Sequence, residues 1–322
     1  MGGQIPASSR ALPTVGVVTF LIGLAALVVG AGGAILALRT ALANSNGNLV
    51  LAQLLLVLPL AGWGYGLRFV RWHLLIRRAV PTLGFWPSFR AQAIGFGLSV
   101  TPGRIGELWK LHLVERATNE PAALGAGAML IERATDLIGF TALVAIAATQ
   151  VSGLIGHLPL ASGLAAAGVL VVMLAARWLI GRHKSITRGP SLIGQLIAGG
   201  SAVIKPVPVA LALLALILGR TGDGLLLWGV MGALGHPVAP AFAIFAFATA
   251  GLVGGVSLLP GGIGAAEGTM VAVLATGGVP AATGLLAALI TRALILWIWV
   301  AFGMLLFAQD QLGGGPKLET AR

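Results

Sequence analysis

The stretch Ser99-Val-Thr-Pro-Gly-Arg-Ile-Gly-Glu107 lies between two strongly apolar runs and decides how they fold. Proline has no backbone N–H and glycine weakens a helix, so a helix that reaches Pro102 and Gly103 is predicted to stop there and restart. Arg104 and Glu107 add charge in an apolar region, where charge is costly unless it faces a polar interior. The stretch therefore predicts a broken helix that holds a buried polar site.

A second stretch, Ser257-Leu-Leu-Pro-Gly-Gly-Ile-Gly264 followed by Glu267, repeats this pattern of serine, proline, glycine and isoleucine 158 residues later. Further identities at this offset, or at one residue more, pair Gly64 with Gly222, Gly66 with Gly224, Phe89 with Phe247, Pro121 with Pro280 and Arg133 with Arg292. Coincidence is the alternative in a chain so rich in small apolar residues. Matched breaks in two halves of opposite orientation predict an inverted-topology repeat.

The composition is that of an integral membrane protein. Hydrophobic residues make up 57% of the 322 positions and charged residues only 9%, whereas about a quarter of an ordinary soluble domain is charged. The net charge of +11 does not indicate nucleic acid, because no segment is polar enough to form a basic soluble face. It fits the excess of Lys and Arg in cytoplasmic loops. The chain has no cysteine, so disulfides and cysteine metal sites are excluded.

The apolar runs predict an all-α polytopic fold with about six spanning helices and two re-entrant broken helices. At about 20 residues per span, the predicted spans are residues 14–38, 49–78, 121–150, 159–180, 206–234 and 280–308, with hairpins at 85–116 and 240–277 and an interfacial helix at 190–204. Loops without Lys or Arg at 44–48 and 151–158 are predicted to lie outside, which places both termini in the cytoplasm.

One transmembrane domain, 1–322, is therefore expected. Its parts are an N-terminal helix and outer loop (1–48), a first repeat half (49–150), a connecting helix with a basic cytoplasmic segment (151–205), a second repeat half (206–308) and a cytoplasmic tail (309–322). The end of the second span is interpreted as a basic, aromatic-belted cytoplasmic exit. It contains Arg68, Arg71, Arg77 and Arg78 with Trp63, Tyr65 and Trp72.

Several charges fall at predicted membrane depth. The acidic ones are Glu107, Glu132, Asp136, Asp223 and Glu267. Glu132 lies roughly 16 Å along a helix from Pro121, and Arg292 roughly 18 Å from Pro280 on the opposite side, so both are near the midplane. Either these charges form salt bridges that only fix helix packing, or they line a water-filled cavity for a polar substrate.

The residue types suit a lipid head group. Arginine binds phosphate in a fork geometry, backbone amides near Gly103 and Gly261–Gly262 can cradle an anion, and carboxylates can balance a cation or exchange protons. The candidate substrate-binding residues are Pro102, Gly103, Arg104, Glu107, Glu132, Arg133, Asp136, Pro260, Gly261, Gly262, Glu267 and Arg292. Arg220 and Asp223, three apart on one helix, form a candidate structural or coupling pair.

Catalytic patterns are absent from the sequence. It has no G-x-S-x-G elbow, H-E-x-x-H pair, Walker loop or G-x-G-x-x-G turn, so no nucleophile, cofactor or metal is predicted. The five histidines are scattered without ligand spacing. Glu132 and Asp136 are a carboxylate pair without a nucleophile, so the chain is not expected to be an enzyme.

Three ordered motifs carry a family resemblance. They are Pro102-Gly-Arg-Ile-Gly-Glu107, Ile131-Glu-Arg-Ala-Thr-Asp136 and Pro260-Gly-Gly-Ile-Gly-Ala-Ala-Glu267, with Arg292 in the last helix. Over about residues 50–308 the chain resembles the flippase-like transmembrane region of bacterial lysylphosphatidylglycerol synthases and related stand-alone proteins. The resemblance implies a lipid translocator of the bacterial inner membrane. The sequence stops at Arg322 without an aminoacyl-transferase domain, so lysyl transfer is not implied.

The leading hypothesis is thus a transporter for phospholipids, glycolipids or hopanoids, with Arg104, Arg133 and Arg292 on the head-group phosphate. The carboxylates complete the cavity, and the two halves rock to expose it to either leaflet. A membrane enzyme or enzyme subunit of aminoacyl-lipid, glycolipid or hopanoid synthesis is the second hypothesis, and a binding scaffold with a structural polar core is the third. Membrane lipids are the expected partners, and a homo-oligomer is left open.

Overall fold

The computed structural model describes residues 8–44, 47–150 and 191–312, and within these ranges every regular element is helical. The predicted span at 159–180, the outer loop at 151–158 and most of the tail lie outside the described residues. The helices are α1 Ser8–Asn44, α2 Gly47–Ala79, α3 Phe85–Gly97, α4 Trp109–Thr118, α5 Ala122–Thr149, α6 Leu192–Val203, α7 Pro206–Ala233, α8 Pro240–Val256, α9 Ala265–Thr276, α10 Ala281–Arg292 and α11 Ile298–Gln311.

Short irregular turns replace the α-helix at both predicted breaks. The 3₁₀ turns are Leu98–Val100, Pro102–Leu108 and Pro260–Gly262, and a π turn, Ala293–Trp297, joins α10 to α11. We call residues 98–108 the first broken segment and residues 257–264 the second broken segment. The predicted end of the first helix near Arg39 is wrong: α1 continues to Asn44, because a single arginine does not stop a helix.

Within the described residues, four helices are long and apolar enough to cross a membrane. They are Val18–Ala43 within α1, Gly47–Ala79, Pro206–Ala233 and the continuous stretch Ala281–Gln311. The 28-residue α5 is also long enough for a span but carries Glu132, Arg133 and Asp136 in its middle. The prediction of an all-α membrane protein is confirmed, while the count of six spans and the repeat stay predictions.

The legs of the first hairpin, α3 and α4, return to one level of the molecule. Arg90 near the start of α3 lies 3.7 Å from the carboxylate of Asp310, and Arg116 near the end of α4 lies 3.4 Å from the same carboxylate. Asp310 is in the last turn of α11. The hairpin therefore begins and ends beside the end of the last helix, as expected for a segment that dips inward and returns.

The two broken segments touch at their tips. The backbone N–H of Gly103 donates to the carbonyl of Leu258 across 3.0 Å. Both tips use the left-handed backbone region, with φ of 61° at Gly103, 57° at Arg104, 59° at Gly261 and 68° at Gly262. The tip contact brings two stretches that are far apart in sequence to one place.

Glycines allow the supporting helices to approach closely. A methyl group built on Gly97 would lie 2.6 Å from the backbone of Gly303, so α3 and α11 meet backbone to backbone. On Gly64 it would lie 2.2 Å from a carboxylate oxygen of Asp223, and on Gly222 it would lie 2.7 Å from Trp63, which places α2 directly on α7. These contacts fix the helices that carry the charged residues.

Candidate functional site

Seven charged residues from four elements meet inside the helical bundle. We call them the ionic cluster: Arg71 of α2, Arg104 and Glu107 of the first broken segment, Lys110 of α4, and Glu132, Arg133 and Asp136 of α5. Five of them were candidates from the sequence. Arg71 and Lys110 were not.

Lys110 lies at the centre of the ionic cluster and is fully buried. Its Nζ is 3.1 Å from Oε1 of Glu107 and 2.9 Å from Oε2 of Glu132, and it stands over the ring of Trp72 at 3.9 Å. A third acceptor, Oε1 of Gln92, is 3.4 Å away. One ammonium therefore joins the first broken segment to α5. Lys110 follows Glu107 by three residues, and this spacing in the sequence is one at which side chains can pair on a helix.

Arg71 connects α2 to the same face of α5. Its Nη2 lies 3.3 Å from Glu132 and 2.7 Å from Asp136, and its Nη1 donates to Thr135 Oγ1 at 3.3 Å. Arg71 and Trp72 were interpreted as part of a basic, aromatic-belted cytoplasmic exit, but Arg71 is 1% exposed and Trp72 is fully buried. By sequence, Arg71 was grouped with the other basic residues near the end of α2. Tertiary packing distinguishes it, because Arg71 is buried whereas Arg77 and Arg78 are exposed.

Two cations open the ionic cluster to the outside. Arg104 Nε lies 3.0 Å from one oxygen of Glu107, and Arg133 Nη2 lies 3.2 Å from the other. The side chains of Arg104 and Arg133 are 38% and 31% exposed, whereas that of Glu107 is 3% exposed. A ligand that reaches this cluster thus meets two arginines first.

The exposed side chains beside this opening are apolar. Ile105 and Leu108 belong to the first broken segment, and Leu258 and Leu259 to the tip of the second; all four are exposed. We call them the apolar rim. The polar opening and the apolar rim lie side by side because the Gly103–Leu258 hydrogen bond joins the two tips.

Positive charge is in excess around the ionic cluster. Arg220 and Asp223 form a neighbouring pair at 2.7 Å, as predicted from their spacing, and Arg68 lies within electrostatic range of Arg104, Asp136 and this pair. With Arg68, Arg220 and Asp223 included, six cations face four carboxylates. Such an excess in a poorly solvated interior favours the binding of an anion.

Glu267 and Arg292 form a second ionic group. Arg292 Nε lies 3.0 Å from Glu267 Oε1, its Nη1 donates to the carbonyl of Gly262 at 3.4 Å, and its Nη2 donates to the carbonyl of Gly261. The other oxygen of Glu267 accepts from the N–H of Gly264 at 2.7 Å. These two side chains hold the second broken segment in shape, and within the described residues no ion pair joins them directly to the ionic cluster.

The expected amide cradle for an anion is wrong at two positions. The N–H of Gly103 is bonded to Leu258, and the N–H of Gly262 donates to the carbonyl of Leu259 at 2.8 Å. Tight turns of this kind satisfy their own amides, which sequence spacing alone does not reveal. Pro102 and Pro260 begin the two turns and contribute shape, since their side chains carry no polar group.

Comparison with known proteins agrees with the resemblance noted in the sequence. The family described as the lysylphosphatidylglycerol synthase TM region matches residues 9–303. The chain belongs to this family. It is a multi-pass membrane protein of a family connected with lipid metabolism.

One relative of this family member comes from an archaeon. The UPF0104 membrane protein MJ1078 of Methanocaldococcus jannaschii is 21% identical over 222 residues, which cover 65% of this chain and 92% of the relative. No solved structure matches the chain.

Proposed function

We propose that the protein is a transporter that moves lipids with phosphate-bearing head groups between the two leaflets of a bacterial cytoplasmic membrane. The observation that carries the proposal is the position of Arg104 and Arg133. They are the partly exposed cations of a largely buried cluster, and they lie beside the exposed apolar rim. A polar opening next to an apolar edge matches the two ends of one lipid molecule.

The charge balance supports an anionic head group. The six cations and four carboxylates in and around the ionic cluster leave an excess that a phosphodiester would offset. Arginine is suited to this role because its planar fork binds two phosphate oxygens at once. Glu107 holds Arg104 and Arg133 together at 3.0 and 3.2 Å, so both guanidinium groups are positioned before a head group arrives.

The apolar rim supports the movement of a whole lipid rather than a free head group. Exposed Ile105, Leu108, Leu258 and Leu259 let acyl chains remain in the hydrocarbon while the head group enters the cluster. Movement to the other leaflet requires the two halves to shift where their tips meet, and there the described backbone contact is a single hydrogen bond, Gly103 to Leu258. Broken helices at membrane depth are tolerated where they line such a polar path.

A reconstituted transport assay tests the proposal. Purified protein is placed in liposomes with fluorescent phosphatidylglycerol, phosphatidylcholine or a phosphate-free glycolipid, and a membrane-impermeant quencher measures how much label leaves the inner leaflet. We expect faster exchange of the phosphate-bearing lipids than in protein-free liposomes, with the glycolipid slower. Equal rates with and without protein for all three lipids would reject the transport function.

The same samples distinguish transport from enzymatic activity. The enzyme hypothesis is tested because the family is described as the transmembrane region of a synthase. Lipids are extracted after the assay, and their molecular masses are measured by mass spectrometry. Transport leaves every lipid mass unchanged and alters only its leaflet. A new lipid mass that depends on the protein would favour an enzyme or enzyme subunit instead.

A further inference from the structure

Two donors on one face of α2 lie against the same aromatic ring. Tyr65 and Arg68 are three residues apart, so they share a helix face. The Tyr65 ring meets Phe96 of α3 edge to face at 5.7 Å, and the guanidinium of Arg68 stands 4.4 Å above the Phe96 ring. Trp299 of α11 completes the group, because its indole stacks on Tyr65 with ring centroids 4.0 Å apart.

None of these three side chains has an acceptor in the described part of the chain. The hydroxyl of Tyr65, the Nε of Arg68 and the Nε1 of Trp299 are buried atoms without a hydrogen-bond partner. Buried polar groups in native proteins are nearly always paired, so three unpaired donors in one place call for an explanation.

Arg68 also lacks a charge partner. Arg71, Arg104, Lys110, Arg133, Arg220 and Arg292 each lie within 4.0 Å of a carboxylate, whereas Arg68 has none that close among the described residues. Asp136 and Asp223 act on it only from longer range, and Arg104 and Arg220 oppose them. The missing partner is therefore both an acceptor and an anion.

We propose that Tyr65, Arg68 and Trp299 form a binding site for one phosphate group. A phosphodiester has no donor, carries one negative charge and offers several oxygens, which fits a guanidinium with two neutral donors beside it. The proposal rests on the transport function above and adds three donors for the head-group phosphate to Arg104 and Arg133, since Arg104 lies within electrostatic range of Arg68. The same chemistry would also bind free inorganic phosphate, so the test has an arm for each source.

Tyr65 is the only tyrosine in the chain and makes the site observable. The protein is expressed in medium with 3-fluorotyrosine and carries a purification tag that contains no tyrosine. Its fluorine NMR spectrum then has a single signal, from position 65. It is titrated in detergent with dihexanoyl-phosphatidylglycerol, with inorganic phosphate and with dihexanoylglycerol, which has the same chains but no phosphate. We expect the signal to move saturably with the phospholipid and not with dihexanoylglycerol; movement with inorganic phosphate alone would assign the site to the free anion.

Variants connect the signal to the proposed donors. Arg68→Gln should weaken phospholipid binding about tenfold or more, since it removes a charge-assisted hydrogen bond. Trp299→Phe keeps an aromatic ring but loses the N–H, and should weaken binding about two- to tenfold. Arg78→Gln, an exposed arginine on the same helix, is the matched control and should leave the titration unchanged.

Three results would overturn the site: no signal movement with any phosphate compound, equal movement with dihexanoylglycerol, or an unchanged titration in a folded Arg68→Gln protein. The first would mean that water satisfies the three donors. These experiments test the binding site and the transport function independently. A saturable titration without lipid movement in liposomes would keep the site and reject the transporter, and movement without a titration would do the reverse.

Discussion

The backbone N–H of Gly103 donates a hydrogen bond to the carbonyl of Leu258 across 3.0 Å. These residues lie at the tips of two segments that proline and glycine break in the same way. Through this contact the ionic cluster, which belongs to the first half of the chain, lies beside apolar side chains of the second half. The proposed function depends on this proximity of the ionic cluster to the apolar rim.

A disulfide should form between the tips. A Cβ atom built on Gly261 lies 3.6 Å from the Cβ of Val100, close to the mean separation of about 3.8 Å in disulfides. Since the chain has no cysteine, the double variant Val100→Cys/Gly261→Cys contains just the two introduced thiols. We expect mild oxidation to remove both free thiols, as counted by alkylation and mass spectrometry.

The control for this cross-link is Val100→Cys with Gly268→Cys. A Cβ at Gly268 has no heavy atom within 4 Å, so this pair should keep both thiols free. Cys at position 261 takes a φ of 59°, which costs about 1–2 kcal/mol. Free thiols in a tip variant that is nevertheless folded would contradict the contact between the two broken segments.

Lys110→Met should destabilise the fold. The substitution keeps the length of the side chain but leaves Glu107 and Glu132 buried with one cation fewer, at a cost of about 3 kcal/mol. Thermal unfolding in detergent measures the change. Arg116→Gln removes a half-exposed ion pair with Asp310 and should cost less than about 1 kcal/mol, so equal losses in both variants would contradict a central role for Lys110.

Gly303→Ala should separate α3 from α11. A methyl group at Gly303 would lie 2.0 Å from the carbonyl oxygen of Ala93, which cannot move without its helix, and we expect a loss of about 1–3 kcal/mol. Gly232→Ala in α7 meets no atom within 4 Å and should stabilise the helix by roughly 0.5–1 kcal/mol. Opposite shifts of the unfolding temperature are the expected result, and a neutral Gly303→Ala would show that the helices are farther apart.

Local chemistry made much of the fold predictable. Pro102-Gly103 and Pro260-Gly261 stop a helix wherever they occur, and both breaks were predicted at the correct residues. Helix α7, expected over 206–234, is Pro206–Ala233. Glu132 and Asp136 were singled out because buried charge is costly, and both contact Arg71 in the ionic cluster.

The parts that were missed depend on tertiary contacts. Arg71 is 61 residues from Glu132 in sequence, and nothing in its own neighbourhood distinguishes it from the exposed Arg77 and Arg78. Tyr65 was assigned to an interfacial belt but is 6% exposed, packed between Phe96 and Trp299. Sequence spacing identifies charges at membrane depth and does not show which cation meets which carboxylate.

Arg104 combines an unfavourable backbone with a charged side chain. Its φ of 57° costs a non-glycine residue about 1–2 kcal/mol, and Gly262, its counterpart in the second half by sequence offset, has a φ of 68°. Arg104→Gly relieves this cost but loses a partly exposed ion pair with Glu107. We expect its stability, measured by thermal unfolding, to stay within about 1 kcal/mol of that of the original protein. A change in its transport rate would then report on function and not on unfolding.

The part that Arg104 plays in lipid movement is measured by the rate of phosphatidylglycerol exchange between the leaflets of proteoliposomes. The original protein and Arg104→Gly are compared, with protein-free vesicles as the baseline. We expect rapid exchange with the original protein and a rate at least about tenfold lower with Arg104→Gly, because a charge-assisted phosphate contact is lost. An Arg104→Gly protein that is equally stable and exchanges the lipid as fast as the original would contradict this expectation, as would an original protein no faster than empty vesicles.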